Sequence, residues 1–342
     1  MPDDYSQFEK RKQDHIKLAL MPANQATEQN IFDSICLQHE ALPDIDFTDI
    51  CLLSQRLGCS VTTPFLVSSM TAGHEQAAMI NHHLIEACAL TGWAMGVGSQ
   101  RRELSDVNAA RAWQQLRADF PTVNLLGNLG IAQLLGASLS SIEALINVLH
   151  AQALIIHCNP LQEIIQPEGT PQFKGCWAAL AAVVKQLSVP VVVKETGCGF
   201  SLATLTRLQE IGVAAVDVSG LGGTHWGRIE GHRAVADSIR HHTAVTFKNW
   251  GINTVQSVQH AVSIKPRFEV WGSGGVRNGL DAAKLLALGA TTIGFAKPML
   301  AAAMTSSQQV CQVMRTIEYE LKTAMFCTGS RVIADLKEKI CP

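Results

Sequence analysis

The stretch Ala153-Leu154-Ile155-Ile156-His157-Cys158-Asn159-Pro160-Leu161-Gln162-Glu163 joins four apolar residues to an imidazole, two amides and a carboxylate. The apolar run reads as a buried strand, and the polar residues crowd the point where that strand ends. In a parallel α/β barrel the C-terminal end of each strand faces the active-site mouth, where polar side chains are more often chemical than structural. The fold therefore turns on whether the chain supplies the other strands of such a barrel.

Outward from that stretch, from residue 61 on, short β-branched or apolar runs alternate with longer amphipathic segments, the pattern of successive βα units on a parallel sheet. Strands are predicted at 63–70, 93–98, 122–127, 153–157, 190–195, 214–219, 267–271 and 291–295. Helices with apolar residues at three- and four-residue spacing separate them, at 77–91, 142–150, 177–187, 202–211 and 280–288. The expected fold is α/β, a (β/α)8 TIM barrel spanning residues 61–342, preceded by an N-terminal extension, residues 1–60, that contributes a substrate-binding arm. A long loop after strand six, between Ser219 and Arg267, should carry an extra helix and part of a lid. Residues 301–324 read as the last helix.

Composition agrees with one enzyme-sized domain. The 342 residues carry 27 basic and 29 acidic side chains for a formal charge of −2, which leaves no nucleic-acid footprint, and 47% are hydrophobic. Ten cysteines occur without a CxxC pair or zinc spacing, so reduced thiols in a cytoplasmic protein are expected. No basic-then-apolar leader and no run of about eighteen apolar residues occurs, so neither secretion nor membrane spanning is expected.

The strand ends turn the fold into chemistry. Strands one to three end in Ser68-Ser69-Met70-Thr71, Ser99-Gln100-Arg101 and Asn128; strands five and six end in Lys194-Glu195 and in Ser219 through Thr224. Strand seven runs into Gly274-Gly275-Val276-Arg277 and strand eight into Ala296-Lys297. Glycine-rich loops before two helices, placed after strands seven and eight, form the usual phosphate pair of a barrel; taken alone, the glycines would only make tight turns. Lys194 ends the apolar run 191–193, where an unpaired ammonium is costly to bury. It either pairs with a carboxylate or holds an anionic ring such as the N1–C2 edge of reduced flavin. The cationic segment Arg11-Lys12 is either a solvated helix face or an arm that brings cations to a phosphate-bearing substrate.

Taken together, these motifs resemble the type 2 isopentenyl-diphosphate isomerases, over nearly the whole chain. The resemblance runs from Arg11-Lys12 through Ser68-Ser69-Met70-Thr71, 95–101, 157–163, Val193-Lys194-Glu195 and 217–220 to Gly274-Gly275-Val276-Arg277. It implies FMN at Ser68, Ser69, Met70, Thr71, Ser99, Asn128, Lys194, Ser219 and Thr224, with its phosphate at Gly275, Val276, Arg277, Ala296 and Lys297. It implies a substrate diphosphate at Arg11, Lys12, Ser99, Gln100, Arg101 and His157, with Asn159 orienting the substrate, Gln162 near the reacting carbons and Glu163 on Mg²⁺. The implied reaction converts isopentenyl to dimethylallyl diphosphate by a 1,3-allylic proton shift with reduced FMN, reduced by NADPH, in a homo-oligomer, a tetramer or octamer. Proton transfer is expected at the flavin N5 region with Gln162 as positioner or relay. Two departures, Ala72 where a second glycine is usual and Asn253 where a proline is common, bear on loop rigidity rather than on a functional group.

Two rivals remain. An FMN-dependent oxidoreductase of the hydroxy-acid oxidase kind shares the barrel, the lysine and the glycine loop, but needs a histidine base beside an arginine near the end of strand six, where this chain has Leu221-Gly222-Gly223-Thr224. A non-catalytic flavin-binding protein gives no role to Arg11, Lys12, Arg101 and Glu163. His225, Trp226 and Trp250 read equally well as lid packing and as site residues.

Overall fold

In the computed structural model, which describes residues 2–26, 30–70 and 75–341, the eight apolar runs pair as parallel strands. They are β1 (Phe65–Val67), β2 (Ala94–Gly96), β3 (Leu125–Gly130), β4 (Ala153–Cys158), β5 (Val191–Glu195), β6 (Ala215–Asp217), β7 (Glu269–Gly272) and β8 (Thr292–Phe295). Their order around the sheet is their order in the chain, and β8 closes onto β1 with Phe295 opposite Val67. All eight predicted strands are present, most of them shorter than the apolar runs that announce them.

Both faces of this sheet are buried, which is why the strands read as apolar runs rather than as alternating ones. Inside the barrel, Leu66, Leu126, Ile155, Val192 and Trp271 form a core separate from the larger one between sheet and helices. Fully burying side chains of this size stabilises by about 1.5–3 kcal/mol each. A hairpin of Ser54–Arg56 and Cys59–Val61 packs Leu57 against the inner core, and the Leu57 amide donates to Glu269 Oε1 (2.6 Å) at the start of β7. The N-terminal end of the barrel is thereby plugged, leaving the C-terminal end for the site. The expected boundary at residue 60 falls inside this hairpin.

Register then decides which side chains share a rim. Across β3, β4 and β5, Gly130 lies opposite His157 and His157 opposite Lys194; across β5, β6 and β7, Lys194 lies opposite Asp217 and Asp217 opposite Trp271. The polar residues that end β4, β5 and β6 are therefore lateral neighbours.

Two expectations need correction. The connection after β6 holds three helices rather than one extra: Trp226–Arg233, Ile239–Thr246 and Thr254–Ser263. Each is opened by a polar cap, His225, Ser238 or Asn253, whose side chain accepts from a first-turn amide. Asn253 thus acts as a helix cap. The last helix is two, Lys297–Ala303 and Ser307–Cys327, because Ser306 caps the second by accepting from the Gln309 amide. The N-terminal segment forms a helix, Pro2–Leu20, packed against Trp226–Arg233 and Lys297–Ala303.

Candidate active site

The C-terminal end of the barrel opens into a cavity of about 520 Å³, within the range of small-molecule sites. At its floor Lys194 Nζ donates to Asp217 Oδ2 (2.6 Å) and Ser273 Oγ (2.9 Å), and Ser273 Oγ donates to Asp217 Oδ1 (2.6 Å). The partner of the buried ammonium is thus Asp217 on the neighbouring strand. Glu195 turns away: its Oε2 accepts from the amides of Thr196, Gly197 and Cys198, and burial pushes its carboxyl up to about 7 despite those donors.

At the end of β4, Pro160 begins the short helix Pro160–Ile165, and Asn159, Gln162 and Glu163 project from its first turns. Asn159 Nδ2 donates to Gln162 Oε1 (3.1 Å) and to Glu163 Oε1 (3.0 Å). Gln162 Nε2 donates in turn to Glu230 Oε1 (2.9 Å), from the helix after β6. Glu230 is wholly buried, and it also holds His15 Nε2 (2.8 Å) and Arg233 Nη1 (2.6 Å). Burial alone would raise the Glu230 carboxyl, but donors on three sides hold it below its ordinary value. Burial lowers the His15 imidazole, so a neutral ring donates to a carboxylate. Through this network the N-terminal helix is fastened to the side chain expected nearest the reacting carbons.

The same helix delivers cations. Arg11 and Lys12 line the cavity with Arg101; burial, and then the neighbouring Arg11 and Arg101, together lower the Lys12 ammonium to about 8 despite Glu103. A second cluster joins Arg277 and Lys297, where burial and then Arg277 lower the Lys297 ammonium. Like charges pressed together at partly desolvated sites mark places where an anion is stabilised. His157 lies at the cavity wall with Nδ1 2.8 Å from Asn128 Oδ1, and Asn128 Nδ2 donates to Val97 O (3.1 Å). The amide orientation makes Nδ1 the protonated nitrogen. Burial, with Lys12 and Lys194 nearby, depresses this imidazole to about 4 and keeps it neutral near pH 7.

Fit to a flavin rests on unsatisfied groups. The hydroxyls of Ser68 and Ser69 are buried at the cavity without a hydrogen-bond partner, so polar atoms of a ligand would satisfy them. The helix Lys297–Ala303 has no side-chain cap on its first turn, which suits a phosphate. The loop after β7 is more occupied. Gly274 and Gly275 adopt φ of +98° and +84°, and a Cβ on either would strike the backbone of Gly220 or Gly222. Arg277 bridges these loops, donating to Gly275 O (2.7 Å) and Gly222 O (2.9 Å). These glycines therefore serve loop packing as well as any ligand. Residues for a divalent cation are sparse: among the described residues no group of three or more His, Cys, Asp or Glu could hold a metal. Glu163 is the carboxylate that lines the cavity; its Oε1 accepts from Asn159 Nδ2 (3.0 Å) and its Oε2 from the Thr170 amide (2.6 Å), which leaves a lone pair on each oxygen that would suit a magnesium ion.

Most of the expected residues meet here: Arg11, Lys12, Ser68, Ser69, Met70, Ser99, Arg101, Asn128, His157, Asn159, Gln162, Glu163, Lys194, Ser219, Thr224, Gly275, Val276, Arg277, Ala296 and Lys297 all line the cavity. Thr71 and Ala72 lie outside the described residues. Gln100, expected at the substrate, does not line the cavity. It is fully buried behind the wall, where its Oε1 accepts from the Asn128 amide (3.0 Å) and its Nε2 donates to Leu145 O (3.3 Å). His225 is a helix cap with Nδ1 3.2 Å from the Arg228 amide and Nε2 3.1 Å from Trp250 O, and Trp250 is mostly exposed, whereas Trp226 does line the cavity. Sequence reasoning missed His15, Gln25, Asp217, Glu230 and Ser273. Asp217 and Ser273 sit at strand ends and were open to the same argument as Lys194; Glu230 lies mid-helix in a lid segment and carries no sequence signal.

The profile of a family described as FMN-dependent dehydrogenase matches residues 150–341. Over 342 residues the chain is 68% identical to an isopentenyl-diphosphate delta-isomerase of Legionella pneumophila, covering 100% of both proteins. It is 49% identical to the protein of that name from Bdellovibrio bacteriovorus, covering 99% of each, and 40% identical to that of Synechocystis sp., covering 96% of this chain and 94% of the relative. Among solved structures, a flavocytochrome b2 superposes with TM-score 0.68 at 18% identity, covering 96% of this chain and 81% of that one. A lactate oxidase of Pediococcus acidilactici superposes with TM-score 0.68 at 15% identity, covering 98% and 93%. These structural likenesses speak to the fold alone.

Proposed function

Because the chain belongs to the FMN-dependent type 2 isopentenyl-diphosphate isomerases, we propose that its cavity binds reduced FMN, Mg²⁺ and isopentenyl diphosphate together and carries out a 1,3-allylic proton shift. The observation that carries this reading is the pair of separate cation clusters in one cavity, Arg11, Lys12 and Arg101 against Arg277 and Lys297. A flavin mononucleotide and a diphosphate substrate need one each.

Reduced FMN supplies the acid–base group that an unactivated alkene requires, since side chains of ordinary pKa protonate it poorly. Ser68, Ser69 and Lys194 would hold its ring, with Asp217 and Ser273 fixing the ammonium, while Ala296 and Lys297 would hold its phosphate. Glu163 and Asn159 would hold Mg²⁺, which neutralises the diphosphate. Arg11, Lys12 and Arg101 bind the diphosphate and bring the alkene over the floor. Gln162, held at both ends of its amide by Glu230 Oε1 and Asn159 Nδ2, would orient the reacting carbons. NADPH is the reductant and Thr71 a further flavin contact in this reading; a cytoplasmic tetramer or octamer remains part of it. No helix of the described chain is long and apolar enough to cross a membrane.

The oxidase alternative loses its base here. Both nitrogens of His225 are engaged, and Arg228 beside it donates to Lys248 O, Gln25 O and Asn249 Oδ1. The deciding assay supplies anaerobic protein with FMN, NADPH, Mg²⁺ and isopentenyl diphosphate in D₂O. Dimethylallyl diphosphate carrying solvent deuterium is expected; flavin turnover on a 2-hydroxy acid with no isomerised product would replace this reading with the oxidase.

A further inference from the structure

Far from the cavity, the last described residues lie antiparallel to the segment that follows the 3₁₀ turn Ile31–Ser34. Leu37 pairs with Ile340, the Gln38 amide donates to Lys339 O (2.7 Å), and the Cys341 amide donates to Cys36 O (2.9 Å). This register sets Cys36 directly opposite Cys341. Residues opposed in such a ladder have Cα atoms about 4.5–5.5 Å apart, inside the roughly 4.4–6.8 Å that a disulfide spans. The two sulfur atoms are 2.7 Å apart, across 305 positions of sequence. Cys36 is exposed and Cys341 half-buried, so an oxidant reaches the first while the second stands against it.

We propose that Cys36 and Cys341 are a modification site: a dithiol that closes to a reversible disulfide when the protein meets a glutathione-type disulfide oxidant. The Cys36 thiolate attacks the oxidant, forming a mixed disulfide and releasing one glutathione thiol. The Cys341 thiolate then displaces the second glutathione. Two protein thiols and one small disulfide give one protein disulfide and two small thiols, with two electrons passing to the oxidant. The bond fastens the C-terminus to the segment leading from Phe32, whose carbonyl accepts from Lys284 Nζ (2.9 Å), and Ile31, which abuts Gly222 at the cavity loops. Closing so long a loop chiefly restricts the unfolded and partly opened chain. The other exposed cysteines, Cys51 and Cys59, have no such facing thiol among the described residues and serve as internal controls.

The test treats full-length protein with oxidised glutathione, quenches free thiols by alkylation and maps peptides without reduction. The expected product is a linked pair joining the Cys36 and Cys341 peptides, lost on reduction and in Cys36→Ser and Cys341→Ser, while Cys51 and Cys59 carry the alkylating label or single glutathione adducts. Hydrogen exchange at the Gln38 and Cys341 amides should slow about tenfold on oxidation of wild type and stay unchanged in both variants. Separate glutathione adducts or free thiols at positions 36 and 341, or a linked pair with no change in exchange, would overturn the proposal.

Discussion

Gln162 Nε2 donates to Glu230 Oε1 at 2.9 Å, so the side chain nearest the proposed chemistry is fixed by a carboxylate buried in the lid helix after β6. The same oxygen holds His15 of the N-terminal helix. Arm, lid and strand-four residues therefore share one anchor, and the orientation of Gln162 depends on the same carboxylate that receives the N-terminal helix. Glu230→Gln keeps the shape and removes the charge. Orientation of reacting groups should suffer more than diphosphate affinity, so kcat should fall about ten- to a hundredfold with KM nearly unchanged. Combining it with Gln162→Ala should cost little more than Gln162→Ala alone. Additive losses in steady-state kinetics would mean that the two residues act independently.

Lys12 sets an alkaline limit. Its ammonium is lowered to about 8 by burial and by Arg11 and Arg101, so in free enzyme it loses its proton as pH rises through about 8. Because kcat/KM follows the free enzyme, it should decline above that pH as the diphosphate loses a cation. Lys12→Arg keeps the charge and should extend the plateau toward pH 10, with some loss at neutral pH from altered geometry. Superimposable alkaline limbs for wild type and Lys12→Arg would assign the limit to another group.

What the sequence disclosed and what it hid divide on a physical line. Strand ends were legible because a run such as 191–193 ending in Lys194 breaks the apolar pattern at a position the barrel defines, and the same rule places His157 and the glycines after β7. The orientation of Gln100 was not legible, because adjacency to Ser99 and Arg101 says nothing about which way a side chain turns once the strand has ended; here it faces the Asn128 amide and Leu145. Glu230 was invisible because a glutamate in the polar-looking helix Trp226–Arg233 reads as solvated until the fold lays the N-terminal helix over it. The full number of helices after β6, three rather than a single extra one, escaped for a related reason: their caps are a histidine, a serine and an asparagine, which also mark ordinary loops.

At the cavity floor, Asp217 neutralises Lys194 with a 2.6 Å contact in a site shielded from water. Asp217→Asn leaves the ammonium with only Ser273 and an amide. Breaking a buried pair by removing one charge costs about 3–5 kcal/mol, so the apoprotein should unfold at lower denaturant. If Lys194 holds the flavin, FMN affinity by fluorescence titration should drop at least about tenfold. Wild-type affinity in a folded Asp217→Asn protein would remove Lys194 from the flavin contacts.

His157 gives a stability signature with a definite sign. In the folded chain its imidazole is depressed to about 4 by burial and by Lys12 and Lys194, against about 6.5 when unfolded. Between those values the unfolded chain binds a proton that the folded chain refuses, so stability rises with pH there. The contribution is full above pH 6.5 and is lost as pH falls toward 4, at most about 3 kcal/mol in that window. His15 and His225 are lowered as well, so the informative quantity is the difference between wild type and His157→Gln. Denaturant unfolding between pH 4 and 7 should show a steeper acid loss for wild type than for the variant. Parallel curves would mean that His157 accepts a proton in the folded state and so offers an Nε2–H to the diphosphate as a cation, which the neutral ring, with its proton on Nδ1, does not have.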